Sequence, residues 1–397
     1  MALSDEVKER VSLRAIAEQT VTWDIRKSNI RRGDYWAPCP FHGEKTASFH
    51  VTEPKGHGGQ FFCFGCNAKG SVIDFLMARD GLSFKAALRD LADQEGIDRT
   101  ADPARIARFK AKSEERQRQA EIQSRDLAER GISQALRIWR ASYTNHPGLA
   151  AYLERGRGIR IAALGGLPPT LRYHPDLPCY EGNGGDRPRI THRGPAMVGF
   201  IGRQRLVGVH LTWIDPIDPA RGRARFDDGS KVPKKLKGRT GAIWGQPVVL
   251  TKPYCPLVVV GEGIETTLAV LAATRLRNPD FKARVEAALS LGALCGPEAK
   301  TGARRGKSVR TGKPLPSPLP DLENPRPGWL PPDGITRATI LADPSTKCPD
   351  TARLHATRAE AKLSHHCAQG TRLAIPRGHW DHDDDFADLA KIGELYV

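Results

Sequence analysis

The chain has 397 residues, and 61 lysines and arginines against 45 aspartates and glutamates give it a formal net charge of +16. With 39% hydrophobic residues it has a globular composition, and its length suits two or three domains. No apolar run is long enough to cross a bilayer, so a membrane partner is excluded and a cytoplasmic location is expected. The positive charge favours a polyanion such as nucleic acid, because each phosphate contact releases a condensed counterion.

The first predicted domain covers residues 1–100. The pattern predicts a helix over 5–19, then a stretch over 33–70 that is rich in glycine, proline, cysteine and aromatic residues. Two short helices follow, one over 71–79 and one that starts at Ser83, a residue type favoured at helix N-caps. The second helix is expected to bury Phe84, Ala87, Leu88 and Leu91.

Two short motifs in this domain predict a metal site, Cys39-Pro40-Phe41-His42 and Cys63-Phe64-Gly65-Cys66. Three thiolates and one imidazole are donors that tetrahedral Zn²⁺ prefers, and the two-residue spacing lets a tight turn aim two side chains at one ion. Four protein donors leave no open position, so the expected zinc is structural. His50 and His57 are alternatives to His42, but neither has this spacing from a cysteine. The eight cysteines are too sparse for a disulfide scaffold.

The residues around these motifs add specificity. Glu44, Lys45, Ser48 and Phe49 follow the first motif, and Lys69-Gly70-Ser71 follows the second. Over roughly 35–95 the pattern closely resembles the N-terminal zinc ribbon of bacterial and phage DNA primases, which that family uses to engage single-stranded template DNA. The resemblance implies a single-stranded DNA template, ribonucleoside triphosphates and a replicative helicase in trans as partners.

Basic side chains of this domain are the candidates for phosphate contacts. They are Lys45, Lys69, Arg26, Lys27, Arg31 and Arg32. Aromatic rings either stack on bases or fill the core of so small a domain, and the need for a core favours packing for each of them. The rings in question are Phe41, Phe49, Phe62 and Phe64.

Residues 101–130 have mixed charges and few apolar anchors, which predicts a solvated helical linker. The next predicted domain, 131–250, has an α+β pattern in which helices precede short β-like runs, so an antiparallel sheet is expected. The helices are 132–143 and 148–155, and the runs are 171–174, 196–201 and 206–213. A basic turn supplies further candidate nucleic-acid ligands, Lys234, Lys235, Lys237 and Arg239, with a solvated surface run as the equal alternative.

In residues 251–397 strands alternate with helices, which predicts a parallel sheet with crossover helices. The predicted strands cover the runs 257–260, 287–294, 338–342 and 372–375, and the predicted helices are 265–275 and 351–364. A basic loop insertion, 296–332, interrupts this pattern and is expected to be mobile. Its GARRGKS string has one residue too few between its glycines for a P-loop, so it predicts no helicase motor.

Acidic residues end two of the predicted strands. Glu262 follows the first run and Asp343 follows the third, and in open α/β sheets the reactive crevice lies beyond the carboxyl ends of the strands. Asp385 and Asp388 add carboxylates near the end of the sequence. Carboxylate oxygens suit Mg²⁺ or Mn²⁺, which would neutralise a triphosphate and stabilise in-line phosphoryl transfer.

This arrangement resembles the topoisomerase-primase (Toprim) fold. The resemblance implies that Glu262 acts as general acid or base and that Asp343 is the first aspartate of a metal-binding Asp-x-Asp pair. The second position of that pair is Ser345, so Asp350 or the acidic tail replaces it, or the site is degenerate. A favourable charge at a helix N-terminus is the alternative role for Glu262 and the preferred one for Glu265.

We therefore expect an α+β and α/β multidomain protein with a zinc ribbon, a helical linker, an α+β subdomain and a Toprim-like parallel sheet with flanking helices. The resemblance implies a cytoplasmic, nucleoid-associated DNA primase of phage or plasmid type, with structural Zn²⁺ and catalytic Mg²⁺ or Mn²⁺ bound through Asp343, Asp385 and Asp388. Two alternatives stay open: a non-catalytic replication accessory that binds single-stranded DNA and has a degenerate Toprim site, and a Toprim nuclease.

Overall fold

The computed structural model describes most of the chain, and its described residues are 3–42, 44, 46–54, 56–97, 103–181, 189–239, 241–299, 306–308, 312, 314–342, 348–376, 380, 386–391 and 395. At 103–110, 112, 113, 387 and 391 only the backbone is described. The chain divides into two compact units, Met1–Ile122 (unit 1) and Gln123–Val397 (unit 2). The finer division into four domains stays a prediction.

Unit 1 combines a small antiparallel sheet with short helices. The helices are α1 (Leu3–Arg10), α2 (Leu13–Ala17), α3 (Val72–Asp80), α4 (Phe84–Gln94) and the first part of α5 (Pro103–Arg140). The strands, paired in chain order, are β1 (Asp34–Ala37), β2 (Phe49–Thr52), β3 (Gln60–Cys63) and β4 (Lys69–Gly70), and a 3₁₀ turn covers Ile30–Arg32. The core packs one face of the sheet against α3, with Phe49, Phe61 and Phe75 almost fully buried.

The prediction of one helix over 5–19 is wrong, because the chain breaks between α1 and α2. Ser12 has an extended backbone, and its hydroxyl accepts a hydrogen bond from the Ala15 N–H as the N-cap of α2. The same hydroxyl donates to Glu53 Oε1 at 2.6 Å, and the Arg14 N–H donates to Glu53 Oε2 at 2.9 Å. Glu53 is 2% exposed, and a buried carboxylate needs such donors.

The helices predicted after the metal motifs are confirmed as α3 and α4. Ser71 forms a capping box with Asp74 at the start of α3, and the Ser83 hydroxyl caps α4. The predicted burial of Phe84 is wrong, because this first residue of α4 is 46% exposed.

Unit 2 contains the rest of α5, which continues unbroken to Arg140, so the separate helix predicted over 132–143 is wrong. Its other helices are α6 (Pro147–Ala151), α7 (Ile161–Leu164), α8 (Ile264–Arg277), α9 (Leu291–Cys295), α10 (Pro349–Ser364) and α11 (Phe386–Lys391), with a π turn over Tyr152–Gly156 and a 3₁₀ turn over Pro219–Arg221. Its strands are β5 (Leu171–Glu181), β6 (Arg189–Ile201), β7 (Gly208–Trp213), β8 (Lys235–Gly238), β9 (Val248–Thr251), β10 (Leu257–Gly261), β11 (Arg284–Ala287), β12 (Arg337–Leu341) and β13 (Thr371–Ala374). None of the helices within the described ranges has the length and apolar character needed to cross a bilayer.

The strands of unit 2 form one mixed sheet in the order β13-β12-β10-β11-β9-β6-β7-β8, with β5 paired to β6. The pairs among β10, β11, β12 and β13 are parallel, and the remaining pairs are antiparallel. Helices cover both faces of the parallel part, because Val259 packs in the cluster that contains α8 whereas Val258 and Val260 pack with α10. The mixed α+β and α/β fold class is confirmed.

The strand predicted over 287–294 is placed wrongly. Strand β11 ends at Ala287, and residues 291–295 form helix α9. Leu289 has a left-handed backbone (φ 70°) that ends the extended conformation, and the Ser290 hydroxyl then caps α9 by accepting from the Ala293 N–H at 3.1 Å.

Candidate metal centre and acidic sheet edge

The short sheet of unit 1 brings the two cysteine motifs together. Because β1 and β3 both pair antiparallel with β2, they run in the same direction, and Ala37, Phe49 and Cys63 lie in one row across the three strands. Strands β1 and β3 therefore end at the same side of the sheet. Cys63 is the last residue of β3, and Cys39 lies two residues beyond the end of β1. His42 and Cys66 are contributed by the turns that follow.

The ligand atoms of Cys39, His42, Cys63 and Cys66 all lie within 4.8 Å of one another. The Cys39 and Cys66 Sγ atoms are 3.9 Å apart, and the Cys63 Sγ is 3.8 Å from the His42 Nδ1. Ligands on a tetrahedral zinc with Zn–S bonds of about 2.3 Å are separated by about 3.8 Å, so this donor set fits one structural zinc ion.

Backbone N–H groups surround the sulfur atoms of this centre. The N–H of Gly65 donates to the Cys63 Sγ at 3.3 Å, and the N–H of Phe41 donates to the Cys39 Sγ at 3.4 Å. A side chain at Gly65 would place its Cβ 2.6 Å from the His42 Nε2, so only glycine fits this turn. These donors favour the thiolate forms that bind zinc.

Glu44 supports the centre from outside the ligand set. Its Oε1 accepts from the Cys39 N–H at 2.8 Å and from the Ser48 hydroxyl at 2.6 Å, and its Oε2 lies 3.3 Å from the His42 Nε2. Burial opposes ionisation, but these donors and the adjacent imidazole together lower the pKa of Glu44. A carboxylate on the outer nitrogen orients a metal-bound histidine. Sequence reasoning quoted Glu44 without a role, although its place two residues after His42 was a usable sign.

The outer face of the same sheet carries a row of aromatic rings. Trp36, His50 and Phe62 are paired across β1, β2 and β3, and Phe64 follows in the turn. The Trp36 ring stacks on His50 at 4.3 Å and on Phe64 at 5.4 Å between centroids, and Phe62 meets Phe64 edge-on at 4.8 Å. Lys27 Nζ lies 3.8 Å from the centre of the Trp36 ring. We call these four rings the aromatic face.

The four phenylalanines, each of which was expected to pack in the core, differ in their exposure. Phe49 is fully buried and Phe41 packs against the core, whereas Phe62 is half-buried and Phe64 is 61% exposed. Sequence reasoning missed Trp36 and considered His50 only as an alternative zinc ligand, although the alternation of buried and outward residues in β1 and β2 was a possible sign of this face.

The basic candidates of unit 1 lie at the surface. Lys69 on β4 is exposed, and Lys45 lies outside the described residues. The segment before β1 is exposed over most of its length and presents the apolar side chains of Ile25 and Ile30, 79% and 63% exposed, among its basic residues. The basic residues of this segment are Arg26, Lys27, Arg31 and Arg32.

In unit 2 the parallel strands end at one edge of the sheet, which we call the acidic edge. Glu262 follows β10 there, and its backbone carbonyl accepts from the Leu289 N–H at 2.8 Å. Asp343, Ser345 and Asp385 lie outside the described residues. Asp388 is exposed on α11. Among the residues that the structure describes, the Cys-His group of unit 1 is the one cluster with a metal-binding arrangement.

The residues of the predicted basic turn lie in two different environments. Lys234 Nζ donates to Glu265 Oε2 at 2.9 Å, so its charge is paired inside the protein. Lys235 and Lys237 on β8 line a surface groove of about 340 Å³, and Arg239 is exposed.

Glu265 is 3% exposed and lies in a buried polar cluster. The Tyr152 hydroxyl donates to its Oε1 at 2.9 Å. Burial opposes its ionisation, but the charges of Lys234 and Arg157 outweigh that effect and lower the pKa of Glu265. Burial, with the charge of Lys234, lowers the pKa of the adjacent His210 to about 3. The expected helix-terminal position of Glu265 is observed, and its ion pair with Lys234 also ties the segment before β8 to α8.

Comparison with known proteins gives separate matches for the N-terminal part of the chain and for part of unit 2. Residues 2–105 match the family model described as CHC2 zinc finger, and residues 129–243 match a domain of unknown function, DUF7146. The DNA primase of Deinococcus radiodurans is 36% identical over 152 residues, which are 38% of this chain and 22% of that protein. The DNA primase of Helicobacter pylori is 47% identical over 74 residues, 19% of this chain and 12% of that protein. The matches thus span less than a quarter of these relatives.

One solved structure covers the whole chain. The Aquifex aeolicus primase (zinc binding and RNA polymerase domains) aligns with 100% of this chain and 83% of its own, at 16% identity and a TM-score of 0.34. A score this low does not establish a common overall fold.

Proposed function

We propose that this protein is a primase, because residues 2–105 match the CHC2 zinc-finger model and part of the chain is similar to DNA primases. It would make short RNA primers on single-stranded DNA in replication of the phage or plasmid type, together with a replicative helicase in trans. The observation that carries the proposal is the aromatic face beside the four-donor zinc centre.

The aromatic face has the composition of a surface that binds unpaired bases. Stacked rings at the protein surface offer flat partners to nucleobases, and each base stacked on a ring contributes roughly 1–3 kcal/mol. Basic residues of the preceding segment, and Lys27 directly above the Trp36 ring, supply charge for the phosphates. Zinc fixes the sheet on which the rings are placed, so the metal supports template binding without touching DNA.

For the chemical step we propose the acidic edge. Glu262 would accept the proton of the primer 3′-hydroxyl while that oxygen attacks the α-phosphorus of the incoming ribonucleotide and pyrophosphate leaves. Mg²⁺ or Mn²⁺, held by Asp343, Asp385 and Asp388, would neutralise the triphosphate. The position of Glu262 beyond β10, next to the parallel strand β12, supports this assignment.

A second candidate function, a non-catalytic accessory that binds single-stranded DNA, is favoured by Ser345 at the second metal position. Both functions require the aromatic face, and they differ at Glu262.

The test is incorporation of labelled ribonucleotides on single-stranded DNA with Mg²⁺ or Mn²⁺. We compare the natural chain with Glu262→Gln and with the matched control Glu323→Gln, an exposed glutamate in the loop insertion. The proposal expects loss of at least about a hundredfold in the first variant, the scale of general acid–base catalysis, and full activity in the control. Equal synthesis by Glu262→Gln would contradict the catalytic assignment. DNA binding without synthesis by the natural chain would favour the accessory, and metal-dependent strand cleavage would favour the nuclease.

A further inference from the structure

A second cleft opens in unit 2, with a volume of about 590 Å³. Three segments line it: the turn between β6 and β7, the loop before β9 and residues 325–328 of the loop insertion. Its lining includes Arg203, Arg205, Trp244 and Arg326. None of these residues was singled out by the sequence.

The cleft lies along the acidic edge. Strand pairing aligns Ile201 with Val248, Val248 with Ala287, and Ala287 with Gly261. The turn after Ile201 and the loop before Val248 therefore leave the sheet on the side from which Glu262 emerges. Ligands of open α/β sheets bind at this edge.

Two guanidinium groups of the cleft carry uncompensated charge. Arg203 is held by Glu286, with Nη2 2.8 Å from the carboxylate Oε2. Arg205 and Arg326, in contrast, are exposed, and neither forms an ion pair within the described part of the chain. The planar donors of arginine suit phosphate oxygens.

Trp244 adds an aromatic surface to these charges. Its side chain is 40% exposed, and its indole N–H donates to the Arg326 carbonyl at 3.2 Å. This bond positions the ring beside the arginine, and an indole is a good stacking partner for a nucleobase.

The walls of the cleft are fixed to the core. Gly245 (φ 75°) approaches so closely that a Cβ there would lie 2.3 Å from the Gly328 carbonyl oxygen. Trp329 is fully buried and donates to Glu286 at 2.8 Å. Lys362 Nζ donates to the Trp329 carbonyl at 2.8 Å. This end of the loop insertion, expected to be mobile, is therefore anchored, and the cleft is preformed.

We propose that this cleft binds a nucleoside triphosphate, with its phosphates on Arg205 and Arg326 and its base against Trp244. The volume of about 590 Å³ is within the range of sites that hold one nucleotide-sized ligand. The use of the bound nucleotide rests on the proposed function, whereas its binding does not. Binding itself uses no divalent ion and no template, so it is measured without either.

The experiment follows fluorescence anisotropy of ribose-labelled ATP with the full chain in EDTA. Arg205→Ala/Arg326→Ala is expected to bind at least about tenfold more weakly, because two hydrogen-bonded charge contacts are lost. Lys231→Ala/Lys282→Ala removes the same charge from exposed sites outside the cleft lining and is expected to bind within about twofold of the natural chain. Trp244→Ala is expected to lose about fivefold or more for ATP but little for inorganic triphosphate, and Trp244→Phe to retain most of the affinity.

The competitor distinguishes a free nucleotide from a strand. Unlabelled ATP should displace the probe, and oligothymidylate at equal phosphate concentration should not. Undiminished binding by the double arginine variant, or preferential displacement by the oligonucleotide, would overturn the proposal. All substituted residues are exposed, and unchanged thermal unfolding confirms that the variants fold. Nucleotide binding without primer synthesis would refute the proposed function and leave this inference standing.

Discussion

The sheet of unit 1 has four strands of two to four residues, whereas the sheet of unit 2 has nine strands of up to thirteen. The small sheet packs its inner face, including the rings around Phe49, against short helices, and four metal donors are gathered at one end of it. The parallel part of the large sheet is packed on both faces, and unit 2 contains ion pairs with buried carboxylates. Unit 1 thus has coordination bonds in addition to a small apolar core, whereas unit 2 depends on a larger apolar core and compensated charge.

Removal of zinc has the largest expected effect, and it should affect unit 1 alone. Cys63→Ser is expected to lose the metal and to unfold unit 1, because zinc binding supplies about 10–16 kcal/mol of apparent stability in small zinc domains. Zinc content and hydrogen exchange of peptides from each unit measure the result. Cys255→Ser, at a half-exposed cysteine in unit 2, is the control. Protection of unit 1 in the metal-free variant would contradict this account.

Unit 2, in contrast, should be destabilised by the loss of a buried charge. Glu286 is 0% exposed and accepts from Arg203, from Arg284 at 2.6 Å and from Trp329 at 2.8 Å. Glu286→Gln keeps the shape but leaves two arginines uncompensated, so we expect a loss of about 3–5 kcal/mol in the free energy of unfolding.

Urea unfolding monitored by hydrogen exchange in unit 2 measures that loss. Glu181→Gln, at an exposed glutamate, is the control for the change of charge. A loss below about 1 kcal/mol in Glu286→Gln would show that the buried pairs do not support this unit.

Acid should lower the stability of unit 2 through a buried histidine and a buried glutamate. The pKa of His210 is lowered to about 3 by burial and by the charges of Lys234 and Arg223, with Glu265 opposing them. Between pH 6.5 and 3 the unfolded chain therefore takes up a proton that the folded unit refuses, and stability falls by about 1.4 kcal/mol per pH unit as pH falls. Below about pH 4.5, protonation of Glu265 in the unfolded chain removes more, because its folded pKa is lowered.

The unfolding free energy of unit 2 between pH 7 and pH 5 measures the effect of His210. His210→Gln should have the flatter pH dependence, while His365→Gln, at an exposed histidine, should follow the natural chain. Parallel curves for His210→Gln and the natural chain would contradict the assignment of the acid sensitivity to this buried ring.

The two regions also differ in what the sequence revealed. Cys39, His42, Cys63 and Cys66 were picked out because two local turns create both halves of the donor set, and the four atoms do converge. Their roles, like that of Glu262, stay predictions until tested. Parallel pairing of the strand before Glu262 with the strand before Asp343 followed from the alternating pattern.

Contacts made by distant segments were not visible in the sequence. Lys234 was a candidate phosphate ligand, with a solvated surface position as the equal alternative, and the sequence did not reveal its pairing with Glu265, 31 positions further along the chain. The break at Ser12 depends on Glu53, 41 positions away, and the cleft around Trp244 depends on three separate segments. Helical and strand periodicity records which side chains turn inward, but not which distant partner meets them.

The smallest predicted effect is on single-stranded DNA affinity. It tests the central claim, template binding by the zinc domain, most directly. Trp36→Ala/Phe64→Ala removes two rings of the aromatic face, and single-stranded DNA affinity is measured by anisotropy of a labelled oligonucleotide at fixed salt. The account predicts a loss of at least about tenfold with zinc content unchanged, because stacking on each ring contributes roughly 1–3 kcal/mol. Phe84→Ala, which removes a ring of 46% exposure away from that face, should bind as the natural chain does. Undiminished affinity in the double variant would contradict template binding by the zinc domain.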